Sequence, residues 1–257
     1  MRFRIAVILA FFTTTAIAQD AAEPPSQLAD LLGSDAAEEF ARALEPREFS
    51  FPADHGPHPA FRNEWWYVTG NLDGEDGQRF GFELTFFRFS LTPTAEPSDS
   101  AWRTNQVYIA HLALTDAEDE RFFVAQRYSR GALGLAGARA EPFRVYIDDW
   151  RIEVSPTGEW HLVAQDDEFG IDVTLIAERG PVLNGVNGLS QKSSLPGNAS
   201  YYYSITRLAT NGQVRIGERQ FQVSGLSWLD REWSTSALAD DQVGWDWFAL
   251  QLSDGSD

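Results

Sequence analysis

The 257-residue chain contains no cysteine, a single methionine, four histidines, and only 20 Lys plus Arg against 38 Asp plus Glu. Without thiols there is no disulfide, no thiolate metal site, no cysteine nucleophile and no N-terminal cysteine to carry a lipid. Any metal would rest on His and carboxylates alone. A formal charge of −18 repels polyanions, which removes nucleic acid from the set of partners. Long apolar runs are also missing, since the one sustained stretch, residues 5–12, falls short of the roughly 20 residues that cross a hydrocarbon core. The sequence holds no Gly-x-Ser-x-Gly elbow and no Gly-rich phosphate loop ahead of a helix, so neither a serine hydrolase nor a nucleotide-binding site is indicated.

What is present is a folding composition: 43% hydrophobic and 13% aromatic residues, enough for one large or two small cores. Arg2 and Arg4, the short apolar run, and the small-residue end Ala16-Ile17-Ala18 form a secretory signal pattern over residues 1–18. Cleavage after Ala18 is expected, giving a more acidic product that is periplasmic or secreted and retains no membrane span. Residues 19–49 read as a leader with a Glu23-Pro24-Pro25 spacer and a short helix over 36–44 capped by Ser34-Asp35.

From Glu64 the hydrophobic period becomes two, which predicts an all-β body. Strands are expected over 64–72, 79–91, 105–115, 121–128, 143–155, 159–165, 171–176, 199–209, 213–216 and 219–223. Turn signals at 73–77 and at Asn211-Gly212 join neighbours as hairpins. Many antiparallel strands with short connections favour a closed up-and-down barrel over a sandwich, because closure leaves no edge exposed.

In the first strand Trp66, Val68 and Leu72 share a face, with Glu64 at its rim. In the second, the apolar side is even up to Phe86 and odd at Phe87, Phe89 and Leu91. Either a bulge shifts the register there or the strand end is covered on both faces. Residues 225–233 and 244–252 read as two more strands. They either open a second barrel that is cut short, or pair with the first domain, whose span is 50–224; so few residues cannot close a barrel themselves.

Carboxylates among indoles are the chemical signal. Glu64 beside Trp65 and Trp66, Asp230 and Glu232 between Trp228 and Trp233, and Asp246 between Trp245 and Trp247 would have raised pKa values if buried, as a proton donor needs. Glu64, Asp230 and Asp246 are therefore the candidate catalytic acids, and Trp66, Trp228, Trp233, Trp245 and Trp247 the candidate ligand wall. The competing reading pairs the acids with Arg62, Arg88, Arg207 or Arg231 and uses the rings as core. His55 and His58, with Asp54 or Glu64, have a spacing that could clip a metal, but no helical frame supports it, so a loop seated by imidazole hydrogen bonds is preferred and no metal or other cofactor is assigned. His111 reads as a satisfied core histidine and His161 as a residue of an outer strand.

The segments His55-Gly56-Pro57-His58-Pro59, Glu64-Trp65-Trp66-Tyr67-Val68-Thr69-Gly70, Gly188-Leu189-Ser190-Gln191-Lys192, Ser200-Tyr201-Tyr202-Tyr203-Ser204, Ser227-Trp228-Leu229-Asp230-Arg231-Glu232-Trp233 and Gly244-Trp245-Asp246-Trp247-Phe248 together resemble the AttH-like and carotenoid 1,2-hydratase superfamily. The resemblance runs over roughly residues 50–257. It implies two lipocalin-like antiparallel barrels in tandem, the first complete here and the second beginning at residue 225 and cut short, in the exported branch described as secreted hydrolases. Where carotenoid hydratases carry an Asp-His-x-Trp-like stretch, this chain has Arg231, a permanent cation in place of an imidazole. The aspartate proposed as the acid in those hydratases would fall beyond Asp257. Two functions follow as expectations. One is a carrier that holds a hydrophobic small molecule, an isoprenoid or lipid, in an aromatic-lined cavity and hands it to or from an ABC-type export system. The other is a hydro-lyase that adds water to an alkene by carboxylic-acid catalysis, in a pocket lined by Glu64, Trp66, Asp230, Trp233 and Asp246.

Overall fold

The computed structural model describes residues 39–95, 97–235, 242, 244 and 246–257. The signal pattern lies outside them, as do residues 36–38 of the expected leader helix, and Trp245. Within them, residues 41–44 are irregular. The Ala41 N–H donates to the Ala60 carbonyl at 3.0 Å and the Ala41 carbonyl accepts from the Thr235 hydroxyl, so the backbone groups that a helix would use are tied to the barrel end.

The body is β1 (Asn63–Gly74), β2 (Arg79–Ser90), β3 (Gln106–Asp116), β4 (Arg121–Arg130), β5 (Ala136–Ala140), β6 (Phe143–Ile147), β7 (Trp150–Val154), β8 (Trp160–Gln165), β9 (Phe169–Ala177), the short β10 (Val182–Leu183) and β11 (Leu189–Gln191), then β12 (Ala199–Ile216) and β13 (Arg219–Ser234). All pairings are antiparallel, in the order β4-β3-β2-β1-β13-β12-β9-β8-β7-β6-β5, with β10 and β11 on the first half of β12. Neighbours in this order are neighbours in sequence except where β12 meets β9 and where β13 returns to β1. The result is a nearly closed antiparallel barrel whose seam lies between β4 and β5. Side chains of β4 reach across to other strands of the ring: the Arg127 guanidinium lies 4.6 Å from the Trp150 ring centre on β7, and Phe123 stacks on Phe169 of β9 at 5.3 Å.

Four strand expectations change. Residues 143–155 form a hairpin, β6 and β7, because Asp148 turns the chain at φ 52°, a conformation that Asp tolerates. Asn211-Gly212 is not a turn but lies inside β12, which bulges only between Ile205 and Leu208. Gly212 is required there because a Cβ would sit 2.2 Å from the Asp172 carbonyl oxygen on β9; the turn falls instead at Gly217, φ 58°. The third change concerns residues 225–233, which continue β13 and pair with β1 from Leu72↔Gly225 to Asn63↔Ser234. The boundary drawn at 224 thus falls inside a strand, and residues 225–234 pair with the first domain. Residues 246–252, the fourth, are irregular and cross the outside of the sheet. β2 keeps an unbroken register with both neighbours, so its end is covered on both faces, with Arg88 and Phe89 buried.

Inward residues alternate as the pleat requires. Trp66, Leu84, Phe86, Val145, Trp150 and Leu162 have no accessible surface. A void large enough for a water molecule would leave accessible surface on its walls, so around these residues the barrel interior is a packed core. Around these residues, packed side chains stand where an aromatic-lined chamber was expected.

Candidate functional site

The strand pleat divides the expected pocket into two clusters on opposite faces. On β1 and β13, Glu64 lies opposite Trp233 and Trp66 opposite Arg231, all facing inward, whereas Tyr67 lies opposite Asp230 and faces outward. A one-residue step in a strand reverses the face, so Glu64, Trp66 and Trp233 cannot share a wall with Asp230 and Trp228.

Glu64 is fully buried and clamped. Its two carboxylate oxygens accept from Arg88 Nε and Arg231 Nη2, and from the His58 backbone N–H at 3.1 and 3.0 Å. Burial alone would raise its pKa, but Arg231 and then Arg88 outweigh that and hold it well below the usual carboxylate range. Such a group stays ionised and donates no proton. Arg231 is itself fully buried. It lies 4.1 Å from the Trp66 ring centre and donates to the Gly56 carbonyl at 2.6 Å and the Glu232 carbonyl at 3.0 Å. Arg231, a permanent cation, therefore neutralises a core carboxylate.

The histidine loop seats this cluster. His58 stacks on Trp233 with centroids 3.7 Å apart, and its Nε2 lies 3.0 Å from Asp54 Oδ1, which also accepts from Arg47 at 2.8 Å. His55 Nδ1 is 2.6 Å from the Tyr203 hydroxyl. Burial, then the charge of Arg231, push the His55 pKa down to about 4. The loop is thus held by imidazole hydrogen bonds.

The outer face carries the other acids. Asp230 is 3% exposed and is solvated by neutral donors. Its Oδ1 accepts from Ser204 Oγ at 2.5 Å and Trp228 Nε1 at 2.8 Å, and its Oδ2 from Trp247 Nε1 at 2.8 Å; the Tyr202 hydroxyl adds a further hydrogen bond. No cation pairs with it among the described residues. Burial raises its pKa, and these hydrogen bonds offset only part of the rise. Beside it, Glu232 is raised by burial although Lys192 Nζ lies 2.5 Å away. Glu83 on β2 is also raised by burial and accepts from Thr85. Burial and the Glu83 charge push Tyr67 up to about 12. Half-buried Trp65, Tyr67, Phe87, Trp228 and Tyr202 complete this wall.

Of the predicted site residues, the structure thus unites Asp230, Trp228 and Trp247, separates them from Glu64, Trp66 and Trp233, and leaves Asp246 exposed in the irregular tail. His111 is not in the core; it is half-buried on the outer face with Phe87 at 5.4 Å. His161 is on an outward face, 2.7 Å from Asp172. Sequence reasoning missed Tyr67, Tyr202, Ser204 and Glu83. Their signal was the alternation opposite the one followed: odd positions of β1 and β2, and even positions of β12 and β13.

A profile of the AttH-like family matches residues 42–257. Among solved structures, a candidate AttH from Nitrosomonas europaea is similar at 35% identity and a TM-score of 0.74, over 84% of this chain and 65% of that one. Kievitone hydratase from Nectria haematococca is similar in fold at 12% identity and a TM-score of 0.56, over 78% of this chain and 57% of that one. The chain therefore spans less than two thirds of either relative. Comparison with curated proteins returns no match.

Proposed function

We propose, from the premise that this chain belongs to the AttH-like family, that it binds a hydrophobic small molecule, an isoprenoid or lipid, against the aromatic outer face of its barrel, with Asp230 as the polar anchor. The observation that carries this reading is a carboxyl group almost wholly out of water, without a counter-ion among the described residues, under partly exposed tryptophan and tyrosine rings. Keeping an acid in such a place costs stability, and groups of this kind concentrate at functional sites. The signal pattern supports a periplasmic or secreted setting. The resemblance supports delivery to or from an ABC-type export system.

The same carboxyl supports a second reading, acid catalysis of the carotenoid 1,2-hydratase type. Burial favours the protonated form of Asp230, which would give its proton to one alkene carbon; water would add to the resulting cation, flanked by aromatic faces, and return a proton to the carboxylate. Titration with Nile red, and mass spectrometry of solvent extracts of the purified protein, test both. For the carrier, Trp228→Ala weakens Nile red binding several-fold, Trp150→Phe in the core does not, and the extracted molecule is unchanged after incubation. Recovery of a hydrated product that Asp230→Asn abolishes would favour the enzyme. Equal binding by wild type and Trp228→Ala would remove the outer face as the site.

A further inference from the structure

The two oxygens of Asp230 are met in different ways. Ser204 and Trp228, both on the sheet, satisfy Oδ1. Oδ2 is met from outside by Trp247, which belongs to no strand. The Trp247 ring meets Tyr67 edge-on with centroids 5.0 Å apart, yet the residue is 39% exposed. The segment that carries it is anchored elsewhere. Gln251 Nε2 donates to the Thr206 carbonyl at 2.6 Å and the Ser227 carbonyl at 3.1 Å, and the Asp257 carboxylate sits between Arg179 at 2.7 Å and Arg207 at 2.5 Å. Rotation of Trp247 about its own side chain would vacate the place over Tyr67 without releasing these anchors.

A planar ring with one polar hydrogen, resting on an aromatic wall and donating to a buried carboxylate oxygen from outside the sheet, has the form of a bound ligand. We infer that Trp247 fills a ligand subsite in cis, and that this subsite takes a planar aromatic ring bearing an N–H or O–H donor, with the donor on Oδ2 of Asp230 and the ring against Tyr67. The inference rests on the outer-face reading and narrows its ligand from an apolar molecule to an aromatic hydrogen-bond donor. A ring without the donor leaves the buried Asp230 carboxylate one hydrogen bond short, which is the discrimination that polar sites perform well and apolar ones poorly.

Calorimetric titration of the 257-residue chain with indole and with 1-methylindole tests this, with near-UV circular dichroism to confirm that each variant folds. Trp247→Ala should bind indole about tenfold tighter than wild type does, and about tenfold tighter than it binds 1-methylindole. Adding Asp230→Leu should abolish the preference between the two probes; if that variant does not fold, the comparison of the two probes on Trp247→Ala still decides. Equal indole binding by wild type and Trp247→Ala, or equal binding of the two probes, overturns the inference. If Nile red binding still depends on Trp228 in that case, only the aromatic-donor subsite falls; if that dependence is lost as well, the outer-face reading falls with it.

Discussion

Glu64 and Asp230 are both buried acids on paired strands, and their neighbours give them opposite behaviour. Glu64 has two guanidinium partners, so its ionised form belongs to the fold. Glu64→Gln leaves Arg88 and Arg231 buried without their counter-charge and should destabilise the protein by about 3–5 kcal/mol, read from urea unfolding at neutral pH. His55 supplies the pH dependence. Its pKa falls from 6.5 to about 4 on folding, so the fold holds the neutral ring. The associated stability is complete above pH 6.5 and is lost as pH falls from there towards 4. Thermal unfolding of wild type across that window should show the decline, and His55→Asn, which cannot gain the proton, should show less of it.

Alternation alone made β1, β3, β4, β8 and the first half of β2 legible, because each has one face on the core and one outward. The long β12 and β13 were read as shorter pieces, because a glycine in a sequence looks like a turn whether it serves one or not. Gly212 serves close approach to β9, and that contact joins residues 40 positions apart. The contrast is measurable: Gly212→Ala puts a methyl group against the Asp172 carbonyl and should cost well over ~1 kcal/mol. Gly217→Ala, at a true turn with open space around the new Cβ, should cost only the left-handed backbone penalty of about 1–2 kcal/mol. The site was legible to the same extent. Asp230 and the indoles around it were visible as residue types, but the register that sets Tyr67 opposite Asp230, and the path that brings Trp247 back over them, are long-range facts that no local pattern encodes.

At the scale of the molecule the barrel is a ring with one weak join. β4 hydrogen-bonds to β3 and β5 to β6, but β4 and β5 do not pair with each other. Arg127 and Phe123 of β4 reach instead to Trp150 on β7 and Phe169 on β9. Hydrogen exchange should therefore find the seam-facing amides of β4 exchanging well before those of β1, which has a paired strand on each side. Equal protection of the two strands would mean that the join is as firm as the rest of the ring.

The partner that completes β1 is β13, the last strand of the sheet to be made. A ribosome adding about 5–20 residues per second leaves β1 one-sided for roughly ten seconds before its second neighbour emerges. A nascent chain that ends before residue 219 thus carries a row of unanswered amides beside Trp66, open to holding proteins and to threading through a pore. Only translation through β13 lets the loop of strands lock.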